Sequence, residues 1–127
     1  MRALAVCGAL IAAPAWAEDP PLWAYLAECS AVFAAAAQWD GYVGATGDEV
    51  ALVTQAAEAY LARAVVVAGE AGQPDPEADV ASIMTYLTPR WENRIDRFLS
   101  VKSNLDWIDY CRRLGIDQGI VPLPKSP

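Results

Sequence analysis

Residues 22–39 read LWAYLAECSAVFAAAAQW. Within them Leu22, Tyr25, Leu26, Cys29, Val32, Phe33 and Ala36 recur at spacings of three and four, which puts them on one face of a helix. The preceding Glu18-Asp19-Pro20-Pro21 suits a helix start. Proline is tolerated in a first turn, and acids favour the positive end of the helix dipole. After Trp39, Gly41, Gly44 and Gly47 break the pattern, so Asp40 to Gly47 reads as a loop.

The same periodicity returns three times. Asp48-Glu49 opens a second helix, whose stripe is Leu52, Val53, Ala56, Ala57, Tyr60, Ala64 and Val67. Gly69, Gly72 and Gln73-Pro74-Asp75-Pro76 end it. A third helix begins near Pro76 or Glu77, with the stripe Val80, Ile83, Met84, Leu87, Trp91, Ile95 and Phe98. Pro89 falls inside it, where proline removes a hydrogen bond and clashes with the preceding turn. The helix is therefore kinked or split at Pro89, and the unbroken apolar phase favours one kinked helix. The fourth opens at Ser103, where Ser103-Asn104-Leu105-Asp106 resembles a capping box. Its face is Leu105, Ile108, Cys111 and Leu114, and Arg112-Arg113 followed by Gly115 reads as its stop. The expected domain is residues 18–115. Ile116 to Pro127 carries Pro122, Pro124 and Pro127 and reads as an extended tail, with Ile120-Val121-Pro122-Leu123 apolar enough to pack back or dock.

The first seventeen residues read as an address. Arg2 gives a positive start, Ala3 to Ala13 is uncharged, and Ala15-Trp16-Ala17 offers small residues at a cleavage site. This predicts a secretory signal peptide, residues 1–17, cleaved after Ala17. A lipoprotein site at Cys7 is rejected, because Val6 stands where a small residue is needed and the apolar stretch runs on past Cys7. No later stretch reads as a membrane span, so no transmembrane segment is expected after cleavage. The expected location is the periplasm.

Cleavage removes Cys7 and leaves Cys29 and Cys111. An even count in an oxidising compartment predicts a disulfide. It would close a loop of 82 residues, for which chain entropy gives about 4–5 kcal/mol. A redox-active pair would want a C-x-x-C, which the chain lacks. Four helices with short connections, the first and last tied by Cys29–Cys111, predict an all-α, up-down four-helix bundle.

Charge and composition narrow the function. The chain has 16 acids, 9 bases and no histidine. A net charge of −7 argues against nucleic acid. The acids concentrate early: Glu18 to Leu87 holds eleven acids and one base, Arg63. From Thr88 onward there are seven bases and five acids. Without histidine there is no histidine triad, no c-type haem site, no His–Cys zinc site and no di-iron bundle. Gly44 to Glu49 offers too few oxygens for an EF-hand. Asp106 and Asp109 read as surface ion-pair partners of Arg112 and Arg113, not as an acid–base pair. No catalytic residue, cofactor or metal is expected.

Two features are left over. Arg90, Arg94 and Arg97 fall within about 60° of one another on the helix surface and have no acid at i±3 or i±4. Either they pair with carboxylates on neighbouring helices or they present a stripe to an anionic partner. Trp23 and Trp107 fall off the apolar stripes of their helices and are candidates to line a groove. Together these predict a non-enzymatic binding or protein-interaction module, such as an accessory subunit or chaperone-like factor. Its partner would be another periplasmic protein. The alternative is a small-ligand carrier holding an apolar ligand within the bundle.

Overall fold

The computed structural model describes residues 19–94 and 102–124. It contains four helices: α1 (Leu22–Tyr42), α2 (Gly47–Glu70), α3 (Pro76–Glu92) and α4 (Lys102–Asp117). No strand occurs among the described residues. The fold is all-α, and α1 packs against each of the other three helices. The Cys29–Cys111 disulfide joins the first helix to the last, with the Cα atoms 5.5 Å apart. Such a bridge is compatible with an oxidising compartment.

The sequence marks one apolar face on α1, and the structure buries far more of it. Leu26, Cys29, Val32, Phe33 and Ala36 are shielded on the expected face, whose first residue Leu22 is exposed at the helix start, and Ala24, Ala27, Ala31, Ala35 and Ala37 are buried as well. A helix that is apolar all round belongs in a core. Here the alanines give neighbouring helices room to approach α1 from several sides. Ser30 is buried too, and its hydroxyl donates to the Ala57 carbonyl of α2 at 2.7 Å.

α1 runs past Trp39 to Tyr42, so the loop before α2 is shorter than the glycines suggest. α2 starts because Thr46 caps it. The Thr46 hydroxyl accepts from the Glu49 amide at 3.2 Å, and the Glu49 carboxylate accepts from the Thr46 amide at 2.9 Å. This is a complete capping box. The α2 stripe packs as expected from Val53 to Val67, except that Leu52 faces solvent. By length and composition α2 is long and apolar enough to cross a bilayer, contrary to the expectation of no such segment. It carries Glu58 and Arg63 in its middle and packs on α1 through Tyr60, whose ring stacks on Phe33.

α3 begins at Pro76 with Asp75 as its cap, the carboxylate accepting from the Ala78 amide at 3.3 Å. It continues through Pro89 to Glu92 as a single helix, so the split alternative is not what forms. Asn93 closes it by donating its amide to the Pro89 carbonyl. Ile95, Arg97 and Phe98 lie outside the described residues.

α4 departs from its expected ends at both sides. Ser103 lies inside the helix and does not cap it. Asp106 accepts from Lys102 Nζ at 3.0 and 3.1 Å, and Asn104 is buried. Gly115 does not stop α4, which runs on to Asp117, so Ile116 and Asp117 belong to the helix and not to the tail. Gly119, at φ +70°, makes the turn. The Ile120 amide donates back to the Gly115 carbonyl and the Gly119 amide to the Ile116 carbonyl, as in a Schellman motif. The chain then folds back. Ile120 is buried, Leu123 packs on the core, and the Pro124 carbonyl accepts from Arg112 Nε at 2.8 Å.

Gly115 has a different task. A Cβ there would collide with the Tyr60 hydroxyl and come within 2.8 Å of a Leu123 methyl. That close approach lets the buried Tyr60 hydroxyl donate to the Cys111 carbonyl and so link α2 to α4. Burial pushes the Tyr60 phenol up to about 12, outweighing the opposing pull of a backbone hydrogen bond and Arg112. The unfolded phenol ionises near its ordinary value, so the folded state holds its proton more tightly. Stability contributed by this group is intact below about pH 10 and is lost as the pH rises toward about 12. Alkaline unfolding followed by near-UV circular dichroism is expected to fall in this window. In Tyr60→Phe the part of that transition due to the phenol disappears.

Candidate functional site

Three helices supply the walls of an aromatic groove. Trp107 and Tyr110, one turn apart on α4, lie on the side facing α1 and α3. Tyr25 of α1 meets Tyr110 with ring centres 5.7 Å apart and planes tilted by 59°. Trp107 stands edge-on to Tyr110 at 5.7 Å and edge-on to Trp91 of α3 at 5.8 Å. The result is a continuous run of four rings, Tyr25–Tyr110–Trp107–Trp91. Its geometry is that favoured by ring quadrupoles.

A surface hollow of about 330 Å³ opens among Tyr25, Ser103, Asp106, Trp107 and Tyr110. On the other side of Tyr25 lies a second hollow of about 210 Å³, with Glu28, Ile83, Tyr86 and Arg90 in its walls. Tyr25 is the shared partition. Tyr86 is 64% exposed at this second hollow. Tyr110 holds its phenolic proton above the ordinary range, mainly through burial and then through the neighbouring Tyr25.

Glu28 organises the floor of the second hollow. Its carboxylate, 14% exposed, accepts from the Trp91 indole N–H at 2.8 Å and lies 3.8 Å from Arg90 Nη1. Arg90 therefore does what the structural alternative for the arginines expects, pairing with a carboxylate on a neighbouring helix. It also lies 6.0 Å from the Tyr86 ring centre. Arg94 stacks over Trp91 at 4.4 Å and donates to the buried Asn104 Oδ1 at 3.2 Å. Arg94 lies just past the end of α3, so it falls off the helix expected to carry it, and it links Trp91 of α3 to Asn104 of α4. Arg97 lies outside the described residues.

The two tryptophans part company. Trp107 lines the groove, whereas Trp23 is 6% exposed and packed in the core. That burial corrects its candidacy as a surface contact. α1 is enclosed on several sides, so a residue off its main stripe still points into protein. The groove residues that sequence reasoning missed are Tyr25, Glu28, Tyr86 and Tyr110. The cysteines carried the usable clue. Tyr25 stands one turn before Cys29 and Tyr110 directly before Cys111, so the bridge that joins the cysteines also draws these two rings together.

Among the described residues no group of three or more His, Cys, Asp or Glu side chains could hold a metal. Asp106 and Asp109 each form an exposed ion pair one turn away, with Lys102 at 3.0 Å and Arg113 at 3.5 Å. Arg112 donates to the Pro124 carbonyl at 2.8 Å. Comparison with known proteins gives no matching family model, no similar curated protein and no similar solved structure.

Proposed function

We propose that this chain is exported to the periplasm, loses residues 1–17, and acts there as a non-catalytic protein-interaction module. The observation that carries the reading is the aromatic groove of Tyr25, Trp107 and Tyr110 beside Tyr86 and Arg90. Tyr, Trp and Arg are the residue types that dominate binding energy at interfaces, because they bury much surface at small entropic cost. The groove lies open at the surface and is held by rigid helices, so it is organised before a partner arrives.

Site-specific photocrosslinking in the periplasm tests the proposal. A photoreactive phenylalanine analogue in place of Ser103, at the rim of the larger hollow, is expected to give one discrete protein adduct. Tyr110→Ala in the same chain should abolish it. The same analogue in place of Val66, on the outer face of α2, should not give that adduct. Identical adducts from both positions, or none from Ser103, would overturn the reading. The carrier alternative rests on the same hollow, whose 330 Å³ lies at the lower end of small-molecule sites. Native mass spectrometry separates the two: a small co-purifying mass in place of a protein adduct favours the carrier.

A further inference from the structure

A second surface runs along the other side of α3, away from the aromatic rings. Two hollows there, of about 490 and 600 Å³, share Leu61 of α2 and Met84 of α3 and so form one trough. Its floor is apolar, with Ala34 and Ala37 from α1, Ala57 and Val65 from α2 and Val80 from α3. Its α2 wall extends from Val50 to Val65, which at the helical rise is about 22 Å. That matches a partner helix of about four turns.

Among the described residues, the charges on the trough have one sign. Glu58 and Glu77 are in its walls, and Gln38 in the wall donates to the Glu92 carboxylate at 3.2 Å. Among the described residues, no lysine or arginine lines either hollow. The one base of α2, Arg63, turns away toward the end of α4, where it donates to Gln118 at 3.1 Å. An apolar floor containing methionine, with an acidic rim, complements an amphipathic helix that is apolar on one face and basic on the other. We infer that the trough between α1, α2 and α3 docks a basic amphipathic helix of a partner protein. This surface is distinct from the aromatic groove and stands even if that groove binds nothing. A second copy of the chain would bring the same acidic face, and like charges there oppose docking. An anionic bilayer is repelled in the same way.

The test uses the exported, oxidised protein and a fluorescent synthetic helix of about 16 residues made of leucine and lysine, with the leucines on one face. Anisotropy should report saturable binding that weakens as salt rises. Glu58→Gln with Glu77→Gln is expected to weaken it about tenfold, and Leu61→Ser should weaken it further. Trp107→Ala should leave it unchanged. Circular dichroism confirms that each variant is folded. A peptide of the same composition without the one-sided pattern should not compete. Equal binding of that peptide, or affinity unmoved by the trough variants, would overturn the inference. So would self-association, or adsorption to phosphatidylglycerol vesicles, that Leu61→Ser abolishes while the helix fails to bind.

Discussion

Reducing the Cys29–Cys111 bond, or replacing both cysteines by alanine, is expected to lower the melting temperature by about 10 °C or more. The bond closes a loop of 82 residues, and loss of a native disulfide from a small secreted domain costs about 2–5 kcal/mol. Total stability for such a domain is about 5–15 kcal/mol, so the fraction lost is large. The damage should begin at α4. That helix buries only Asn104, Ile108, Cys111 and Gly115. Its further ties to the rest include the Tyr60–Cys111 and Arg94–Asn104 hydrogen bonds. Thermal melts with and without reductant measure the effect, and a shift below about 3 °C would show that the bridge is dispensable.

Trp91→Ala is the second substitution expected to be severe, at about 3–5 kcal/mol. Trp91 is fully shielded from solvent, stacks under Arg94, meets the edge of Trp107 and donates its indole N–H to Glu28. Truncation opens a cavity where α1, α3 and α4 meet. Trp91→Phe separates the causes. It keeps most of the apolar packing but removes the donor, leaving the largely buried Glu28 carboxylate to Arg90 alone among the partners described above. An unsatisfied buried acceptor costs about 1–3 kcal/mol, so the Phe variant should fall between wild type and Ala. Urea denaturation ranks the three proteins. A Phe variant as unstable as Ala would assign the effect to the hydrogen bond instead of the packing.

These effects explain which parts of the molecule were legible in its sequence. Periodicity located the four helices, because apolar spacing is a property of each segment alone. Cysteine parity located the bridge for a similar reason. The helix ends were harder. Thr46 with Glu49 caps α2, while Ser103 with Asp106 has the same spacing but lies inside α4, which already includes Lys102. Gly115 reads as a stop but serves close packing against Tyr60, and Gly119 makes the turn. Such choices depend on neighbours that a local pattern does not contain. The aromatic groove was half legible for the same reason. Trp107 stood out on its own helix, but Tyr25 looked like one more residue of a core stripe. Its role appears only once the bridge sets α4 beside α1. Arg94 could not be matched to a partner from spacing, since its partners are an amide and a ring rather than an acid.

The disulfide shapes the aromatic groove by holding the rings of α1 and α4 together. Nuclear Overhauser contacts between ring protons test it most directly. The oxidised protein should show cross-peaks between Tyr25 and Tyr110 and between Trp107 and Tyr110, rings whose centres lie 5.7 Å apart in each pair. Reduction should weaken the first, which spans two helices, before the second, which lies within α4. Absence of the Tyr25–Tyr110 cross-peak in the oxidised protein would contradict the account.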